Sequence, residues 1–165
     1  MKDEKNIENS IETIVSKLLI KNKLTISIAE SCTGGLVSST FINYPGISSV
    51  FVEGCVTYSN ESKINRLGVN PNTLDIYGAV SEETAIEMVE GIAKNFNTNV
   101  AISTTGIAGP GGGSIEKPVG LVYIGIYING NTTVKKYIFN GNREEIRIQA
   151  TKNAINDLRL RLLEL

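Results

Sequence analysis

Two apolar periods alternate along this 165-residue chain, and the dipeptide Asn129-Gly130 joins the last two β-type runs. That combination restricts the fold more than any other feature. A helical spacing links Ile7, Ile11, Ile14, Val15, Leu18 and Leu19 into one apolar face. Residues 24–29 (Leu-Thr-Ile-Ser-Ile-Ala) alternate and predict a strand. A polar turn at 30–35 then leads into a helix over 36–41, and a second strand is expected at about 50–58. Lys63 falls on a short helix or loop ending near Gly68, and Pro71 and Gly78 punctuate a connecting segment. Ser81 is placed to cap a helix whose first turn holds Glu82 and Glu83 and whose apolar face runs from Ala85 to Phe96. A short strand at 100–103 runs into the glycine-rich stretch 104–113. Residues 121–128 and 132–139 flank Asn129-Gly130 and predict a hairpin. Asn142 or Gly141 caps a long last helix striped by Ile146, Ala150, Ala154, Leu158 and Leu162. The expected fold is α/β: one domain over 1–165, a three-layer α/β/α sandwich with a mixed, mostly parallel sheet and one late β-hairpin. The strand order is not legible.

Composition enters as a set of exclusions. The chain has no histidine, which removes Ser-His-Asp and Cys-His hydrolase sites and any His-ligated metal. Its two cysteines, Cys32 and Cys55, are too few for an all-cysteine zinc site or a disulfide framework. Sixteen Lys and Arg against 17 Asp and Glu leave a charge of −1, which argues against a nucleic-acid partner. The longest apolar runs, such as 119–128, fall well short of the ~20 residues of a membrane span. Residues 1–10 are polar, with no signal-peptide core, so a soluble cytoplasmic protein is expected.

In open α/β sheets, ligands bind beyond the carboxyl ends of the strands. Three segments leave a strand and turn polar or glycine-rich: 30–35, 57–63 and 104–113. If their strands are parallel neighbours, the three meet at one edge. Ser31 sits on the first, where a sharp strand-to-helix turn can present a hydroxyl beside free N–H groups able to hold an oxyanion or a phosphate. Equally, Ser31 and Thr33 can be plain helix caps. A nucleophilic serine in a chain without histidine needs another base, and a buried lysine qualifies because desolvation favours the neutral amine. Lys63 is the candidate; the bland alternative is a solvated surface lysine. Tyr58 can relay a proton, orient the lysine, or simply end a strand. Cys32 is a rival nucleophile at a helix start, or a small buried residue; Cys55 is placed in the core. The segment 106–113 matches neither the P-loop nor G-x-G-x-x-G, so a phosphate cradle and a surface loop both stay open. Arg143 and Arg147 can meet an anionic group or face solvent.

The wording of these segments carries a resemblance: Ala29-Glu30-Ser31-Cys32-Thr33-Gly34-Gly35, Val56-Thr57-Tyr58-Ser59-Asn60 followed by Lys63, Tyr77-Gly78-Ala79-Val80-Ser81, Thr105-Gly106-Ile107-Ala108-Gly109-Pro110, and Lys117-Pro118-Val119-Gly120. Together, and in this order, they resemble the CinA C-terminal domain family, the nicotinamide-nucleotide amidases also called competence/damage-inducible proteins. The match runs from about Ile7 through the last helix and is to the stand-alone form of the domain. The resemblance implies hydrolysis of nicotinamide mononucleotide (NMN) to nicotinic acid mononucleotide and ammonia, in pyridine-nucleotide recycling. It implies no cofactor and no metal. Ser31 is the implied nucleophile, Lys63 the base and Tyr58 their assistant. Cys32, Thr33, Gly34, Gly35, Thr105 and Gly106 are implied to line the substrate site, and Arg143 to meet the phosphate. A homodimer is expected, with no nucleic-acid or membrane partner. The contrasting expectation is a non-catalytic nucleotide- or phosphate-binding module linked to competence or DNA damage, in which Ser31 binds phosphate. A third is an amidase for another carboxamide.

Overall fold

The computed structural model describes residues 10–165, so Ile7 and the polar start lie outside the described residues. The first helix, α1 (Ile11–Asn22), is capped by the Ser10 hydroxyl and ends at Lys23 in the left-handed region. Strand β1 (Ile26–Glu30) follows. It starts two residues later than the alternation suggested and takes in Glu30, because Glu30 pairs with both neighbouring strands. After the short helix α2 (Leu36–Ile42) come β2 (Phe51–Val56), α3 (Asn60–Leu67) and α4 (Pro71–Tyr77). The remaining elements are α5 (Glu82–Phe96), β3 (Val100–Gly106), β4 (Leu121–Ile128), β5 (Asn131–Ile138) and α6 (Arg143–Leu162).

Helix α4 occupies what the sequence presented as a connecting segment. Asn70 caps it and Pro71 stands at its first position, where a missing N–H costs nothing. Strand β3 also runs three residues further than expected, to Gly106. Thr104, Thr105 and Gly106 are held there by antiparallel pairing with Ile124, Tyr123 and Val122.

The five strands form one sheet in the order β2-β1-β3-β4-β5. β1 runs parallel to β2 and β3; β3-β4 and β4-β5 are antiparallel. Asn129 and Gly130 both have positive φ (47° and 91°), the requirement of the tight hairpin their pairing predicted. One face of the sheet packs Ile26, Ile28, Val100, Ile102 and Ile124 against Val15, Leu19, Val37, Phe41 and the Ile146-Ala150-Ala154-Leu158 stripe of α6. The other face is built from smaller residues: Ala29 and Ala101 meet Met88, Val89 and Ile92 of α5. Small side chains let α5 come close. The Ser103 hydroxyl donates to the Ala85 carbonyl at 2.7 Å, and a Cβ on Gly125 would sit 3.0 Å from that same oxygen. This is the expected three-layer α/β/α sandwich with its mixed sheet.

The parallel register brings the carboxyl ends of β1 and β2 level with Thr104 near the end of β3. Glu30 pairs with Val56 on one side and Thr104 on the other. Residues 31 and 57–58 therefore leave the sheet beside Thr105 and Gly106, which continue β3 along β4, and the three segments meet at one edge as parallel neighbours should.

Candidate active site

Ser31 follows directly on β1, and its N–H donates to the Thr104 carbonyl, which locks the start of the turn to β3. Its side chain is buried, and its Oγ lies 3.2 Å from Lys63 Nζ. Lys63 stands in the first turns of α3, whose start is fixed by the Ser59 hydroxyl accepting from the Ser62 N–H. That helix aims the lysine inward rather than into solvent: Lys63 is 1% exposed. Its Nζ also donates to the carbonyls of Thr57 (2.7 Å) and Tyr58 (3.5 Å). Burial pushes the amine down from its ordinary value of 10.5 to about 8, because desolvation penalises the cation. A neutral amine has two N–H donors and one lone pair. The two carbonyls use the donors, and the lone pair is left for the Ser31 hydroxyl proton.

The strand-to-helix turn is held by Glu30, a residue the sequence reading passed over. Its carboxylate is fully buried. It accepts from the Gly35, Val37 and Ser38 N–H groups at 2.8–3.1 Å and from the Thr33 and Ser38 hydroxyls at 2.6 and 2.7 Å. The signal available was an acidic residue at a strand end just before a run of unpaired helix-start N–H groups. From the far helix, Arg147 donates to the Thr33 carbonyl at 2.8 Å. The Gly34 N–H is also committed, to the Ser31 carbonyl. So of the N–H groups expected to face an anion, those of Gly34 and Gly35 are turned inward. Those of Cys32 and Thr33 have no backbone carbonyl partner among the described residues and lie against the Cys32 sulfur. The Cys32 thiol is buried and pushed up to about 12, first by desolvation, so it stays protonated and is no rival nucleophile at neutral pH. Cys55 is buried on β2, as expected.

Ser31, Cys32, Tyr58, Lys63, Ala79, Val80, Thr105, Gly106, Ala108 and Arg143 line a cavity of about 200 Å³. Thr105 is buried and donates its hydroxyl to the Ala79 carbonyl at 2.6 Å, which ties β3 to the segment after α4. Tyr58 reaches the site differently from expectation. The residue is 62% exposed and its hydroxyl accepts from Arg143 at 3.0 Å; only its backbone carbonyl approaches Lys63. Arg143 also donates to the Gly109 carbonyl at 2.7 Å, so it bridges the cavity mouth. Beyond it opens a groove of about 650 Å³, sharing Ala108 and Arg143 with the cavity and lined also by Asn142, Glu144 and Arg147.

With this geometry in place, comparison with known proteins is decisive. A model of the CinA C-terminal domain matches residues 8–162. The chain belongs to the CinA C-terminal domain family. The resemblance read from its motifs is thereby borne out. A protein of Clostridioides difficile (strain 630), named "Putative competence-damage inducible protein", is 66% identical over 158 residues, covering 96% of this chain and 38% of the relative. One of the same name from Clostridium beijerinckii is 61% identical over 155 residues, again 38% of its length. The chain thus spans under two-fifths of the curated relatives it matches. Among solved structures, a CinA superfamily protein of Klebsiella pneumoniae 700603 superimposes with a TM-score of 0.91 at 32% identity, covering 94% of this chain and 97% of that one. A competence/damage inducible protein of Agrobacterium tumefaciens gives 0.86 at 40% identity, covering 92% and 94%. Among the described residues of this CinA domain, no helix is long and apolar enough to cross a membrane.

Proposed function

We propose that this CinA domain is a serine amidase that hydrolyses the carboxamide of nicotinamide mononucleotide to nicotinic acid mononucleotide and ammonia. The observation that carries the reading is the contact of the Ser31 hydroxyl with a buried lysine whose amine burial brings down to about 8. Lys63 takes the Ser31 proton as Oγ attacks the carboxamide carbon, and the carbonyl π pair moves onto oxygen. The Cys32 and Thr33 N–H groups, the two not drawn into the turn, are the donors assigned to that oxyanion. The tetrahedral species collapses with cleavage of the C–N bond. The Lys63 ammonium returns its proton to the departing nitrogen, which leaves as ammonia. Lys63 then deprotonates a water that attacks the Ser31 ester, and its proton returns to Ser31 as the carboxylic acid product forms. The positive pyridinium of the substrate withdraws electrons from the carboxamide and assists both attacks.

The small cavity suits the carboxamide ring, and the wider groove past Arg143 suits the ribose phosphate. There the guanidinium groups of Arg143 and Arg147 keep N–H donors beyond those given to Gly109, Tyr58 and Thr33. The phosphate-binding alternative on the Ser31 turn is weakened by Glu30, whose carboxylate already fills the helix start. Tyr58 acts here through its backbone and its hold on Arg143.

The test is ammonia release from NMN by purified protein, treated with a chelator, beside Ser31→Ala and Lys63→Ala. Turnover lost in both variants supports the proposal. NMN binding without ammonia release supports the binding module, and activity persisting in Ser31→Ala means another nucleophile. A panel of other carboxamides separates NMN from a different amide substrate.

A further inference from the structure

We infer that Glu30 is a positioning residue for the nucleophile turn, a role that rests on the serine-amidase reading above. The Ser31–Gly35 turn must satisfy two demands at once. It must bend sharply enough to start α2, and it must hold Ser31 Oγ on the Lys63 amine while leaving two N–H groups for the substrate oxygen. A seven-residue helix begun at Leu36, whose capping residue Gly35 has no side chain to offer, does not impose that shape. Glu30 supplies it from the preceding strand. One carboxylate oxygen takes the Thr33 hydroxyl and the Gly35 and Val37 N–H groups; the other takes the Ser38 N–H and hydroxyl. Both oxygens are thus saturated by the turn and the helix that follows it, and β1 pairing on both edges fixes where the carboxylate starts. The same contacts keep the helix start from capturing an anion, so a substrate phosphate is directed to the Arg143 side.

Gln is the sharpest substitution. It keeps size and one acceptor but brings an NH₂ against N–H donors, so the turn must shift. A displacement near 1 Å at a reacting centre costs on the order of 100-fold in rate. Two readouts are taken on wild type, Glu30→Gln and the milder Ser38→Ala, which removes one of the five bonds. The first is steady-state NMN hydrolysis with NMN stoichiometry by calorimetry. The second is the rate at which a fluorophosphonate labels Ser31, read by intact mass. The expected result for Glu30→Gln is a kcat lowered roughly 100-fold and labelling slowed by a similar factor, with KM within threefold and one NMN bound per chain. Ser38→Ala is expected to lose severalfold in both rates. A merely structural role would instead reduce the bound stoichiometry and leave the surviving sites at full rate. Glu30→Gln or Ser38→Ala keeping wild-type rates in a fully folded protein overturns the inference. If wild type is labelled but does not turn over NMN, only the NMN assignment falls, and the labelling ratio still decides Glu30. If wild type shows neither, there is no activated serine to position, and both readings fall.

Discussion

Replacing Lys63 by Met should expose the free energy stored in burying an amine, and the magnitude follows from the structure. Lys63 is 1% exposed, and its amine falls from 10.5 to about 8 because of desolvation. The folded protein therefore binds fewer protons than the unfolded chain between pH 8 and 10.5, so stability rises with pH across that window. Below pH 8 the full penalty stands; above 10.5 nothing further changes. A shift of this size corresponds to about 3 kcal/mol. Lys63→Met removes the titrating group. It also leaves the Thr57 carbonyl without its 2.7 Å donor, a cost that does not vary with pH. The quantity to follow is thus the stability of wild type minus that of Lys63→Met, from urea unfolding at several pH values between 7 and 10.5. It should rise by about 3 kcal/mol, roughly a 1 M relative shift in midpoint for a chain of this size. Other lysines and tyrosines cancel in the difference, and the Cys32 thiol, near 12, stays protonated throughout. Parallel stability curves would refute the claim that Lys63 is a buried amine with a lowered pKa.

Three further outcomes follow from the same geometry. The kcat/KM for NMN should climb with pH up to about 8 and then level, since only about a tenth of Lys63 is neutral at pH 7; a limb near 10 would remove it as base. Tyr58→Phe should keep kcat within about threefold, because the lost hydroxyl contacts Arg143 and not Lys63; a 100-fold drop would restore the phenol as a proton relay. Cys32→Ala should retain most of the turnover, and the wild-type thiol should resist iodoacetamide at pH 8, since burial holds it near 12; rapid alkylation would contradict that.

The fold was largely legible because its signals are local. Period-2 runs, the Asn129-Gly130 pair and the capped helices at Ser81 and Asn142 each state their conformation within a few residues. Helix α4 was not, because seven residues give too short a period and Pro71 reads as readily as a break as a start. The extension of β3 to Gly106 depended on Tyr123 and Val122, partners more than fifteen residues away. At the site, local chemistry named Ser31 and Lys63 as candidates, but their 3.2 Å contact arises from register between β1, β2 and β3. Tyr58 shows the reverse case: its residue type suggested a phenol at work, whereas the backbone direction at the end of β2 sends its ring to Arg143. Glu30 escaped notice because its five donors lie on residues that look like ordinary turn and helix.

The central claim is that Ser31 becomes covalently acylated by the substrate. Acid-quenching the enzyme within its first turnovers of NMN and mapping the peptide around Ser31 by mass tests it most directly, with hydroxylamine added in parallel to intercept the ester. The account predicts an adduct on Ser31 equal to NMN less ammonia, a hydroxamate product in the hydroxylamine arm, and neither in Ser31→Ala. Turnover of NMN with no adduct and no hydroxamate would contradict it and point to direct attack by water.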